Sequence, residues 1–297
     1  MRDRREQLLG HAAMLAFSAL VAGSFSLGAM VANDIAPIAL NAARFVLGTF
    51  VVGALAAAAG KLPRGLPEAP WRYLVLGGLF GSYFVLMFEG LKTAPPVSAA
   101  AVFTLMPIVT ALAGWLILRQ FVTARMALAL AVGAAGALWV IFRADLSALV
   151  NFHLGRGEAI YFVGCVAHAL YTVFLRKLNR GEPGIVVVFY VMVFGAVMLS
   201  SLGAPAIAAT EWSALPSMVW FVIGYTAIVS GAGTFWLLQY AAQRIPGAKV
   251  MAYNYLTPSW VILLELALGH EMPPALVFPG IALTVVALVM LLKDEGH

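Results

Sequence analysis

The chain has 297 residues, of which 63% are apolar or aromatic and only 10% charged, with a formal net charge of +5 at pH 7. Soluble domains carry about 25% charged residues, and here 18 basic and 13 acidic side chains could not solvate a globule, so at a mean hydropathy of +0.95 a water-soluble fold is excluded. The apolar residues fall instead into about ten blocks, each long enough to cross a hydrocarbon core of about 30 Å as a helix. They are apolar on every face, unlike the alternating segments of a membrane β-barrel.

In chain order the predicted helices are span 1, Leu8 to Val31; span 2, Pro37 to Ala59; span 3, Trp71 to Leu91; span 4, Pro96 to Leu118; and span 5, Ala124 to Phe142. Span 6 follows from Glu158 to Leu178, span 7 from Gly184 to Leu202, span 8 from Ser217 to Tyr240, span 9 from Ala248 to Leu268, and span 10 from Ala275 to Leu292. The connectors are short and punctuated by Pro, Gly and Asn, which leaves no room for a soluble domain. Three arginines precede the first apolar run, as in a signal peptide. That run is too long for a signal core, and the internal repeat needs it as a helix.

Basic residues fix the expected orientation. Arg2, Arg4, Arg5, Lys61, Arg64, Arg72, Arg119, Arg125, Arg176, Lys177, Arg180, Arg244 and Lys293 lie on one side, thirteen in all, against Lys92, Arg143 and Arg156 on the other. Cytoplasmic loops retain positive charge, so both termini are expected in the cytoplasm. The same distribution, in loops rather than along one face, argues against a nucleic-acid partner. Cys165 is the single cysteine and forms no metal-binding pattern with histidine; neither metal nor cofactor is implied.

Shifting the chain by 151 residues lays Pro95 on Pro246 and Pro107 on Pro258, and a shift of 147 lays Gly10 on Gly157. Two halves, 1–147 and 148–297, follow, each with five spans. An odd number sends the second half through the membrane the other way. This is an inverted-topology repeat, in which secondary transporters place their substrate sites near the midplane.

Ten spans as five plus five, with Arg44-Phe45 in span 2 and a proline within spans 4 and 9, resemble the EamA-type branch of the drug/metabolite transporter superfamily. The Ala-rich run Val97 to Val102 before Leu105-x-Pro107 and the Glu271 after span 9 carry the resemblance further. Gln120 stands where a second acid would answer Glu271, a departure that weighs against a paired acidic role. The resemblance implies a secondary exporter of small metabolites, with amino-acid export, aromatic in particular, as the activity. It also implies a central cavity walled by spans 1, 3, 4, 6, 8 and 9. An amino acid and the lipid bilayer are the expected partners; a monomer suffices and the oligomeric state is open.

Charges within a bilayer are costly, about 2.5–3.5 kcal/mol at the centre of a helix on insertion scales, so the few polar groups in the spans are the candidates. His168 at the middle of span 6 precedes Tyr171 by a turn, so both can face one cavity, as ligand or proton-coupling groups or as an interhelical hydrogen bond. Arg44 in span 2 either attracts an anion or snorkels in helix packing. Glu89 and Glu265, near the outer ends of spans 3 and 9, are further coupling or gating candidates. Pro107 and Pro258 free carbonyls near Phe103 and Asn254, giving either a ligand site that includes Thr104, Tyr253 and Asn254 or a simple kink.

Aromatic residues of the expected cavity, Tyr83, Phe84, Phe88, Tyr171, Trp236 and Tyr253 among them, can hold an apolar side chain and an ammonium. Gly77 and Gly81 suit close helix packing. No Walker sequence and no nucleophile with a base is present, so the chain reads as a transporter and not an enzyme. Two other readings stand: a carrier of nucleotide sugars or sugar phosphates, for which only Arg44 and Lys249 offer cations in the spans, and a lipid-modifying enzyme, for which His270 and Glu271 are a thin constellation.

Overall fold

The structure, a computed structural model, describes residues 2–142, 145 and 154–293, with only the backbone described for 2–4 and 247–248. Arg143 and the 147/148 boundary between the expected halves lie outside the described residues. Among those described, all regular structure is helical. Among the described residues nine helices are long and apolar enough to cross a membrane: 5–31, 37–58, 71–91, 96–118, 124–141, 156–178, 184–202, 217–242 and 275–292. They coincide with the predicted spans 1 to 8 and 10.

Span 9 is present but divided. It runs as a helix Gly247–Ala252, a 3-10 turn Tyr253–Leu256 and a helix Thr257–Ala267. Lys249, Asn254 and Glu265 lower its hydropathy, and Pro258 at the start of the last piece cannot donate to the turn before it. Span 4 breaks at the corresponding place, into Pro96–Phe103 and Met106–Leu118, with Pro107 opening the second piece. Each proline thus stands at the start of the second piece of its interrupted helix. Span 8 is irregular too, with a wide π-helical segment Tyr225–Gly233 between helices Ser217–Gly224 and Thr234–Ala242.

The packing repeats when spans 1–5 are exchanged for spans 6–10. Span 3 lies along span 6 as span 8 lies along span 1. The second piece of span 4 packs on span 6 as the last piece of span 9 packs on span 1. Pairs 2 with 7, and 5 with 10, map onto themselves. Gly10 and Gly157, matched in sequence, sit in matched places: a Cβ on Gly10 would meet Ile245 at 3.1 Å, and one on Gly157 would press on the Ala94 backbone. Ile245 and Ala94 are themselves 151 residues apart.

Small residues set the closest crossings. A Cβ on Gly77 would lie 2.6 Å from the Gly195 nitrogen, joining spans 3 and 7, and one on Gly136 would lie 2.6 Å from the Gly280 carbonyl, joining spans 5 and 10. The packing role read for Gly77 is thus realised. Phe50, Leu116, Phe221 and Leu263 remain exposed on the perimeter, as lipid-facing side chains do.

The exchange of halves fails in one respect. At the end with few basic residues, the sparse end, span 1 packs on spans 3 and 4. Its counterpart at the basic end, span 6 on spans 8 and 9, has no comparable packing among the described residues. The described residues are therefore packed more closely between the halves at the sparse end than at the basic end.

Candidate functional site

Spans 3 and 6 face each other along most of their length, and each carries a stripe of rings at helical spacing. Phe80, Tyr83 and Phe84 project from span 3, and Tyr161, His168 and Tyr171 from span 6. They interlock between the two helices, from the middle of span 6 toward its sparse end. His168 lies edge-on to Tyr83 at 4.6 Å between centroids, 5.8 Å from Phe80 and 5.6 Å from Tyr171. Phe80 stacks on Tyr171 at 4.7 Å, and Phe84 meets Tyr83 at 4.6 Å. Span 2 adds Arg44, whose guanidinium carbon lies 3.6 Å from the Phe84 ring centroid.

Five predicted residues, Arg44, Tyr83, Phe84, His168 and Tyr171, therefore meet in one cluster. His168 is half-buried, and its Nδ1 is shielded without a hydrogen-bond partner. The cluster offers aromatic faces, an imidazole and a guanidinium, which is the chemistry for a flat or apolar group carrying charge.

Toward the sparse end the cluster is sealed. The Tyr83 and Tyr161 hydroxyls meet at 3.1 Å. Phe25 of span 1 packs edge-on against Tyr161 at 5.8 Å and Phe103 at 5.7 Å. Above them the Ser98 hydroxyl of span 4 donates to Glu158 of span 6 at 2.8 Å, and that carboxylate is only 4% exposed. At the basic end a cavity of about 420 Å³ opens between spans 2, 7 and 8, lined by Lys61, Gly184, Phe235 and Gln239 among others.

Other predicted residues are placed elsewhere. Phe88 is fully buried against Val31, Leu40 and Val219, in the packing of spans 1, 2, 3 and 8. Thr104 turns its hydroxyl back on the Ala101 carbonyl at 2.7 Å and so steadies the break in span 4. Trp236 stacks on Tyr240 and is 62% exposed, lining the basic-end cavity. Tyr253 meets His11 of span 1, hydroxyl to Nδ1, at 3.0 Å. Asn254 is buried beside it in the 3-10 turn, with no side-chain hydrogen bond to a described residue. Glu89 pairs with Lys92 at 2.8 Å and Glu265 with His270 at 2.7 Å, both near the sparse end.

Sequence reasoning missed Tyr161, Phe80, Ser98 and Glu158. The signal for Tyr161 was available: with Cys165 and His168 it forms an i, i+4, i+7 stripe. Glu158 reads as the polar border of a span until the fold lays the start of span 4 over it.

A ten-span helical bundle of two exchangeable halves, with a broken helix in each and a polar-aromatic cluster between, has the architecture of a secondary transporter. Residues 8–142 and 155–293 each match the EamA-like transporter family, and the chain belongs to it. It is 28% identical over 282 residues to the uncharacterized transporter YyaM of Bacillus subtilis (strain 168), covering 94% of this chain and 91% of that protein. A solved crystal structure with no functional name shares the fold at a TM-score of 0.69 and 22% identity, covering 97% of this chain and 96% of the other. The chain is a multi-pass membrane transporter.

Proposed function

We propose that the protein exports amino acids, aromatic or apolar ones above all, from the cytoplasm by alternating access of its two halves, without a cofactor. The observation that carries this reading is the ring cluster around His168, which lies between the halves and is closed toward the sparse end by Tyr83, Tyr161, Ser98 and Glu158. The exchangeable packing supports alternation: closing span 6 on spans 8 and 9 would copy at the basic end the arrangement that span 1 makes with spans 3 and 4. Thirteen basic residues against three support an inner-membrane protein with both termini cytoplasmic, so the less closely packed basic end faces the cytoplasm, the side from which an export substrate is loaded. Scarcity of cations in the spans favours a zwitterion over a phosphate. Purified protein in liposomes is expected to exchange labelled phenylalanine, tyrosine or leucine across the bilayer. Flux no greater than in empty vesicles for a broad amino-acid panel would sink the substrate assignment.

A further inference from the structure

Arg44 is 5% exposed, yet it forms neither an ion pair nor a hydrogen bond with any described residue, and its Nη1 is shielded without an acceptor. The protein shows elsewhere how it treats an arginine used for structure. Arg72, 3% exposed, donates to the Leu178 carbonyl at 2.6 Å, the Glu68 carbonyl at 2.8 Å and the Glu182 carboxylate at 2.7 Å. Arg244 is held by Glu6 at 2.9 Å and by the Tyr240 carbonyl at 2.9 Å. Arg44 has only the face of Phe84.

A ring face attracts a guanidinium but takes none of its N–H groups. Burying such a cation without an acceptor is unfavourable unless an acceptor arrives. The edge of the guanidinium is a planar fork that matches a carboxylate with two parallel hydrogen bonds. Phe84 holds the guanidinium against its ring face and joins it, through Tyr83, to the cluster around His168.

We infer that Arg44 is the receptor for the carboxylate of the transported molecule, while Phe80, Tyr83, His168 and Tyr171 take its apolar or aromatic part. This rests on the amino-acid reading above and deepens it: one carboxylate on one arginine, with no second arginine or lysine among the described residues of the cluster to accommodate a phosphate.

The test is binding of labelled L-phenylalanine to the full-length purified protein, in competition with L-phenylalaninamide and 3-phenylpropionate. Wild type, Arg44→Gln and Arg44→Lys are compared after confirming monodisperse elution and helical circular dichroism. Wild type is expected to prefer the acid over the amide by about tenfold or more, a difference the loss of a charge-assisted hydrogen bond readily produces. Arg44→Gln should bring the ratio near one, with Arg44→Lys between. An unchanged ratio in Arg44→Gln, or no acid preference in wild type, overturns the proposal. If Arg44→Gln does not fold, Arg44→Lys decides: a ratio reduced severalfold supports the fork, and an unchanged one overturns it. Arg44-dependent binding of 3-phenylpropionate without phenylalanine overturns the amino-acid reading and leaves the carboxylate receptor standing. Binding of none of the three overturns both.

Discussion

The hydroxyls of Tyr83 and Tyr161 meet at 3.1 Å between spans 3 and 6, directly between the His168 cluster and the closed sparse end. Each ring also belongs to a neighbouring group, Tyr83 to His168 and Tyr161 to Phe25. The pair thus forms the roof of the candidate site and part of the seal.

Removing both hydroxyls should loosen that seal without unfolding it. A neutral hydrogen bond is worth about 0.5–1.5 kcal/mol net, so the double substitution Tyr83→Phe, Tyr161→Phe should raise the population of the state open at the sparse end about two- to tenfold. A cysteine at Ala99, fully buried in the seal, reports this by its rate of modification with a small thiol reagent. Native Cys165 is buried in the same region, so its own modification is subtracted by running the pair without Ala99→Cys. An unaltered rate would show that the pair does not hold the seal.

Spans 3 and 6 also touch through glycine. A Cβ on Gly90 would lie 2.7 Å from the Gly157 carbonyl oxygen and 2.9 Å from the Tyr161 Cβ, so backbone must move to admit it. Gly90→Ala should cost about 1–3 kcal/mol, as overpacking does, and lower the thermal midpoint in detergent. A midpoint equal to wild type would mean that the two helices separate freely.

At the basic end, Glu182 ties the loop before span 7 to Arg72 at 2.7 Å. Burial pushes its carboxyl up, but hydrogen bonds from Arg72 and the Arg180 N–H, with the Arg72 charge, outweigh that and hold it at about 2, below the ordinary 4.5. A depressed acid stabilises the fold fully above its unfolded value and loses that contribution as pH falls toward the folded value. Glu182→Gln should therefore cost about 1–2 kcal/mol at pH 7, a figure reduced for solvent screening. The gap from wild type should shrink between about pH 4.5 and 2, measured by thermal melting across that range. A gap independent of pH would remove the ion pair from the account.

His168→Ala removes the ring that touches Phe80, Tyr83 and Tyr171. Aromatic contacts are worth about 0.5–1.5 kcal/mol each beyond area burial, so phenylalanine exchange in liposomes should show a KM raised about tenfold. Run against an imposed pH gradient, the same variant tests whether His168 carries the coupling proton. Gradient dependence identical to wild type would leave it a binding residue only.

Much of this was legible in the sequence because a membrane imposes a length and a hydropathy on every span. Pro107 and Pro258 announced the breaks in spans 4 and 9 by their missing N–H groups. The π-helical stretch Tyr225–Gly233 was not legible, since it is a change of hydrogen-bond register held by contacts from span 1: Tyr225 donates to the Leu20 carbonyl at 2.7 Å, and Ser230 meets Ser24 at 2.5 Å. At the site, spacing along spans 3 and 6 grouped Tyr83 with Phe84 and His168 with Tyr171. In uniformly apolar helices it does not say which face meets which neighbour, so it groups Phe88 and Trp236 with them, although Phe88 lies in the packing of spans 1, 2, 3 and 8 and Trp236 lines the basic-end cavity.

The most direct measurement is of both ends at once. Spin labels at Asn33 and Thr93 report the sparse end, and labels at Lys177 and Gln243 report the basic end; all four positions are exposed. Saturating phenylalanine should shift the sparse-end pair toward longer distances while the basic-end pair shortens. Distances that do not respond to any amino acid, or that lengthen at both ends together, would contradict an exporter that alternates between two closed ends.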